Sequence, residues 1–315
     1  MVNRRNVSSI AANAETELIA AYGANPEDLI AVGTEARVYA LGDDQVLKIY
    51  ADPGQRGSLE AIADLYQRFD RASVSCALPE IRTIDQHGSL LAVTETRLPG
   101  IPMSSALDLT DPATERTYLT AVQDFTGLRL TAPLGRRMLL DPAPTHQDED
   151  WNAFLGRLLD HKLPQVFADL RCDVPAVDSI IDRLIARLAR PYAGPESVIH
   201  GDLYPDNMLV TTDGKVSAVI DFGTFTLLGD PLYDVAGACA YYRMYDSDRL
   251  AVRNRLLTTA AAGLTADRRD QLADYLQLIA LLSCDLYPKQ DLHIRETGHY
   301  QWAADVLNSQ TDWRD

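Results

Sequence analysis

Between Leu29 and Arg97 the apolar residues come in short runs separated by turn residues. LIAVG and ARVYAL flank Gly33 and Thr34, Gly42-Asp43-Asp44 follows, and QVLKIY then alternates. Period-two runs bounded in this way predict β-strands. In the QVLKIY strand Val46 and Lys48 face one way and Leu47 and Ile49 the other. Ahead of these strands, Ile10, Ala14, Leu18 and Ala21 lie near one face of a predicted helix over 9–21, with Ser8 or Ser9 as its cap. A second helix is predicted over 56–69, where Leu59, Ile62, Ala63, Leu65, Tyr66 and Phe69 recur at helical spacing. Two more strands are predicted near 80–84 and 89–97, joined at His87-Gly88-Ser89.

Leu98-Pro99-Gly100-Ile101-Pro102 interrupts the pattern and is taken as the boundary between a first unit, 1–98, and a second, 99–315. Beyond it the periodicity is helical. Trp151, Phe154, Leu155, Leu158 and Leu159 form one buried stripe, and Ile180, Ile181, Leu184, Ile185 and Leu188 form another that Pro191 ends. Residues 131–150 mix prolines with polar residues and read as a surface loop. One β-hairpin is predicted from about 208 to 222, around Thr212-Asp213-Gly214-Lys215, before helix resumes over 231–283. The expectation is an α+β chain with a β-rich N-terminal lobe and a mainly helical C-terminal lobe.

Composition narrows the function classes. Apolar residues make up 46% of the 315, enough for packed cores. The formal net charge of −16 argues against a nucleic-acid partner and would steer a cationic ligand inward. Cys76, Cys172, Cys239 and Cys284 are too far apart for a zinc site or a CxxC pair and are expected to be reduced, buried fillers. Arg4 and Arg5 precede no apolar run, and Leu278 to Leu282 is too short to span a bilayer. The chain is therefore expected to be soluble and cytoplasmic, with no membrane partner.

The segment VIHGDLYPDNMLV, followed by VSAVIDFG, carries the chemistry. Asp202 precedes Asn207 by five positions, and Asp221 lies fourteen beyond Asn207. Apolar residues on both sides anchor this polar cluster. Phosphoryl transfer needs one carboxylate to take or orient the proton of the attacking hydroxyl. It also needs a second carboxylate and an amide oxygen to hold Mg²⁺ on the phosphates. HGDLYPDN and VIDFG resemble the catalytic loop and metal motif of the aminoglycoside phosphotransferase / choline kinase family, small-molecule kinases with a protein-kinase-like bilobal fold.

That resemblance implies ATP and Mg²⁺ as cofactors, Asp202 as catalytic base, Asn207 and Asp221 as metal ligands, and His200 as a positioning residue. It places Lys48 on the phosphates, with Glu60 one helix later as its ion-pair partner and Asp64 as the substitute. Gly33 and Thr34 would approach the phosphates, although the glycine-rich set of protein kinases is reduced here to one glycine. Backbone groups near Glu95 and Arg97 would hold adenine. Asp234, near the start of a helix, would brace the catalytic loop. Only twelve residues separate Asp221 from Asp234, which leaves no room for a long activation loop.

For the acceptor, Asp206, Asp230, Asp285, Asp291 and Glu296 are the candidate carboxylates, and Trp302, His299 and Tyr300 could line the site. An acidic helical lobe suits a polyamine such as an aminoglycoside. A metabolic kinase acting on an amino alcohol or sugar is the alternative, and a non-catalytic nucleotide-binding protein is the third reading.

Overall fold

The structure, a computed structural model, describes residues 14–33, 35–140, 149–286 and 292–309. Of the predicted N-terminal helix, residues 14–21 (α1) are described and helical; Ser8, Ser9 and Ile10 lie outside the described residues. The alternating runs fold into β1 (Leu29–Val32), β2 (Ala36–Leu41) and β3 (Gln45–Tyr50). Gly42 turns β2 into β3 at a φ of +67°, a left-handed conformation that a side chain would disfavour. Helix α2 (Arg56–Arg68) and the two-residue strand β4 (Phe69–Asp70) follow, then β5 (Ile81–His87) and β6 (Leu90–Thr96). The result is a five-stranded antiparallel sheet in the order β1-β2-β3-β6-β5.

Alternation gives this sheet two apolar faces. Leu47 and Ile49 of β3 cluster with Leu90 and Ala92 of β6 and with Leu18 and Ile19 of α1. On the other face Tyr50, Leu91 and Val93 cluster with Leu59 of α2. Lys48 shares the strand parity of Tyr50 and so emerges on the α2 side.

The second lobe is built from β7 (Ile101–Pro102), α3 (Met103–Ala106), α4 (Pro112–Phe125), β8 (Arg129–Leu130), α5 (Trp151–Asp173) and α6 (Val177–Leu188). Then come β9 (Ser197–Ile199), β10 (Met208–Val210), β11 (Val216–Val219), β12 (Leu227–Gly229), α7 (Leu232–Tyr241), α8 (Arg249–Ala261), α9 (Ala266–Ser283) and α10 (Gly298–Asn308). Asp150 caps α5 by accepting from the Asn152 and Ala153 N–H groups. Trp151, Phe154, Leu155 and Leu159 are buried in that helix as their spacing predicts. In α6 the predicted stripe is buried except for Ile185, which sits at its edge and is exposed.

Helix α9 is buried nearly all round from Gln271 to Leu281 and forms the axis of the lobe. The predicted surface loop departs from expectation at Leu139, which is buried, and at Met138, which bridges to Leu227; residues 141–148 lie outside the described residues. Cys239 and Cys284 are buried, as expected, but Cys172 is exposed on α5.

Three short strand pairs position the polar cluster. β9 pairs with β12, and β10 pairs with both β7 and β11. Residues 200–207 therefore hang between two fully buried strands, and Asp221 follows closely after the half-buried β11. The chain is the bilobal α+β arrangement that the pattern predicts. No helix among the described residues is long and apolar enough to cross a membrane.

Candidate active site

The loop after β9 is held from behind by a buried carboxylate. Asp234, in the first turn of α7, accepts hydrogen bonds from the backbone N–H of His200 at 2.7 Å and of Gly201 at 2.8 Å. Burial pushes the Asp234 carboxyl up to about 7, against the downward pull of the Gly201 and His200 amides. Gly201 is obligatory: its φ is +78°, and an added Cβ would overlap the carbonyl oxygen of Phe225. Replacing Asp234 by alanine strands two buried N–H donors, so a loss of stability on the order of 2–5 kcal/mol is expected. A shift of the urea midpoint at unchanged slope reads it.

His200 is buried, and burial lowers its pKa. Its Nε2–H donates to the Ile220 carbonyl at 2.8 Å, while Nδ1 accepts from the Asp202 N–H at 3.2 Å. The ring thus ties the loop to the end of β11. Asn207 donates through Nδ2 to the Asp202 carbonyl at 2.8 Å and reaches the Asp202 carboxylate at 3.4 Å. With its amide nitrogen so engaged, the Asn207 carbonyl oxygen is its remaining acceptor. Asp202 has its carboxyl pKa raised by burial and by the charge of Asp221, with His200 opposing. Asp221 itself holds a left-handed φ of +70°, a conformation that costs a non-glycine residue about 1–3 kcal/mol.

The pattern of the sequence did not reveal the aromatic stack beneath these residues. The Phe222 ring lies 4.6 Å from His200, 5.0 Å from Phe69 and 5.6 Å from Tyr66, centroid to centroid. The stack connects α2 and β4 to the loop through contiguous packed rings. Phe222 follows Asp221 directly in VIDFG, so its place in sequence was the available signal. Tyr118 of α4 was also missed: its hydroxyl sits 2.5 Å from the Leu203 carbonyl and 3.0 Å from that of Ala238.

The surroundings of Lys48 differ from expectation. Its Nζ lies 2.9 Å from the carboxylate of Glu95, and both side chains are largely buried. Register explains the pair. Lys48 stands opposite Val93 on β6, and Glu95, two residues on, shares the face of Val93. Burial alone would depress the Lys48 pKa, but the charges of Glu95, Tyr50 and Asp221 outweigh it and the pKa rises. Glu60 instead pairs with Arg56 at 2.8 Å on the exposed face of α2, and Asp64 pairs with Arg68 at 2.8 Å. The buried positions of that helix are Leu59, Leu65 and Tyr66, which rotates both carboxylates away from the sheet.

The predicted nucleotide contacts are likewise adjusted. The Arg97 N–H donates to the Asp44 carbonyl at 2.9 Å, and its guanidinium reaches the Gly42 carbonyl, so that amide is already engaged. Gly33 donates to the Ala36 carbonyl at 2.9 Å in the β1–β2 turn; Thr34 lies outside the described residues.

Asp202, Asp206, Asn207 and Asp221 open together on one cavity of about 560 Å³ between the catalytic loop and the helices of the second lobe. Of the carboxylates predicted for the acceptor, Asp206 lines it, and Asp291 lies outside the described residues. Asp230 is fully buried and bound by Arg268 at 2.6 and 2.8 Å and by the Tyr275 hydroxyl at 3.0 Å. Asp285 is paired with Lys162 at 2.6 Å. Glu296 accepts from the His293 N–H in a short 3-10 turn and lines a different cavity beside Asp173 and Arg295. His299 does line the catalytic cavity, whereas Tyr300 lines that other cavity.

A family model described as "phosphotransferase enzyme family" matches residues 28–279. Among solved structures, that of aminoglycoside phosphotransferase APH(4)-Ia superposes with a TM-score of 0.65 at 20% identity, covering 95% of this chain and 97% of that one. A thermostable mutant of the same enzyme, in ternary complex with ADP and hygromycin B, gives 0.64 at 20% identity over 92% and 95% of the two chains. The GDP and kanamycin complex of an APH(2″) enzyme gives 0.54 at 16% identity over 89% of each chain. At such identities the likeness is one of fold. A curated protein, mitogen-activated protein kinase kinase 10 of Arabidopsis thaliana, is 32% identical over 77 residues, 24% of this chain. The match spans 23% of the length of that relative. With the family model covering most of its length, the chain belongs to the phosphotransferase enzyme family.

Proposed function

We propose that this protein transfers the γ-phosphoryl group of ATP to a hydroxyl of a small molecule. The observation that carries the reading is the convergence of Asp202, Asn207 and Asp221 on one cavity, with Asp202 and Asn207 hydrogen-bonded to each other. In this reading Asp202 accepts the proton of the attacking hydroxyl, and its position is held by the bonds its backbone makes to His200 and Asn207. Lys48 supplies a fixed positive charge to the phosphates, and the pair with Glu95 keeps it ionised despite burial.

The residues fit a divalent ion. The Asn207 carbonyl oxygen and the Asp221 carboxylate are hard oxygen donors, the set that Mg²⁺ prefers when the nucleotide supplies the rest. When bound, Mg²⁺ neutralises charge on the phosphates.

The neighbours in complex with hygromycin B and kanamycin support a polyhydroxylated acceptor, and the net charge of −16 supports a cationic one. The test is coupled detection of ADP release from Mg-ATP across a panel of hydroxylated amines, sugars and antibiotics. Acceptor-stimulated release that EDTA abolishes and added Mg²⁺ restores is expected. Nucleotide binding with no acceptor-stimulated turnover would favour a non-catalytic protein of this fold instead.

A further inference from the structure

The wall of the catalytic cavity has a chemistry that a polyamine does not need. Beyond the catalytic loop it is lined by Leu158 of α5, Ile279 and Leu282 of α9, Met138, Met244 and Phe225. Aromatic faces add to this: Tyr233 and Tyr241 of α7, with Tyr204 and Tyr245. The carboxylates among the described lining residues are Asp202, Asp206 and Asp221, all on the catalytic and metal segments, two of which the metal and the reacting hydroxyl would occupy. The helical walls contribute no described carboxylate. They contribute instead the ammonium of Lys162, paired with Asp285 outside the lining, and the neutral-capable polar side chains of His161, Ser283 and His299.

Resting on the phosphoryl-transfer reading above, we infer that the acceptor is a hydroxyl compound with a broad aliphatic or aromatic skeleton, carrying at most one ammonium group, which Asp206 would take. A polyamine seated here would find no carboxylate for its further ammonium groups on the described helical wall, only methyl groups, tyrosine rings, His161, Ser283, His299 and the Lys162–Asp285 pair. Each ion buried without a partner costs several kcal/mol. An apolar skeleton gains by the same contact, at about 25 cal/mol for each Å² it removes from water. Two flexible methionines, Met138 and Met244, let the wall adjust to an irregular carbon frame. The cavity of about 560 Å³ suits an organic molecule of ordinary drug-like size rather than an extended polymer.

The test uses the full chain and three readouts. Mg-ADP binding by calorimetry checks the donor side. The neutral fluorophore N-phenyl-1-naphthylamine reports the apolar wall, with displacement by neutral steroidal and macrolactone alcohols and by kanamycin. ADP release measures turnover of the same compounds. Saturable fluorophore binding is expected, displaced by the neutral alcohols and untouched by millimolar kanamycin, with at least one neutral alcohol turned over at a higher kcat/KM than kanamycin or hygromycin B. Leu158→Asp and Leu282→Asp, on two different helices, are each expected to weaken fluorophore binding at least tenfold while Mg-ADP affinity stays within threefold.

The inference is overturned if Mg-ADP binds but the fluorophore does not, if no alcohol displaces it, or if the two aminoglycosides are turned over faster than every neutral alcohol. Loss of Mg-ADP binding by the wild-type chain would instead overturn the phosphoryl-transfer reading on which the inference rests.

Discussion

Asp202→Asn is expected to lower kcat by about 10²–10⁴-fold, the range attributed to a positioned general base, with Mg-ADP affinity changed less than threefold. The substitution is suited to the question because it should leave the loop in place. The shorter bond from Asn207 reaches the Asp202 backbone carbonyl, not its side chain, and the bond to His200 uses the Asp202 N–H. Asp234 and His200 hold the rest of the loop without any contribution from the Asp202 carboxylate. An asparagine therefore changes the charge and proton affinity of one side chain and little else. Retention of more than a tenth of wild-type kcat, with the fold intact by circular dichroism, would remove Asp202 from the role of base.

How the loop residues meet was legible in the sequence because their geometry is local. His200, Asp202, Asn207 and Asp221 lie within 22 consecutive residues flanked by apolar strands, so spacing alone nearly determines how they meet. The strand parity of Lys48 was legible for the same reason. What the sequence concealed depends on contacts between distant segments. Asp230 has the same surface-like composition as Asp206, yet Arg268, 38 residues on, makes it a buried anchor. Asp285 is neutralised by Lys162 from across the lobe. Where the charge sits was not legible either: 45 acidic residues dominate the composition, but the described helical wall that faces the catalytic loop is mainly apolar and carries no carboxylate. The aromatic stack of Tyr66, Phe69, His200 and Phe222 joins three separate segments, and no periodicity within one of them points to the others.

The partner of Lys48 is where local pattern misled, and there a second large effect is expected. Glu95→Gln should reduce kcat/KM for Mg-ATP about 10–100-fold, a loss of about 1.4–2.7 kcal/mol, whereas Glu60→Gln should stay within twofold. The Arg56–Glu60 pair is exposed, and pairs of that kind contribute little. The Lys48–Glu95 pair is buried on both sides, so removing its carboxylate leaves an ammonium in a poorly solvated site. Burial then acts on Lys48 with only Tyr50 and the more exposed Asp221 to oppose it, and the lysine pKa falls. The reduction in kcat/KM should consequently deepen as pH rises, since a growing fraction of the variant loses the charge proposed to meet the phosphates. Glu95→Asp keeps the charge on a shorter arm and should recover part of the activity and most of the wild-type pH profile. Should Glu60→Gln prove as damaging as Glu95→Gln, helix α2 must turn its carboxylate inward when nucleotide binds. That movement would have to offset the separation of a buried ion pair, several kcal/mol for each uncompensated charge. Equal activity of Glu95→Gln and the wild type across pH 6–9 would show that Lys48 needs no carboxylate partner at all.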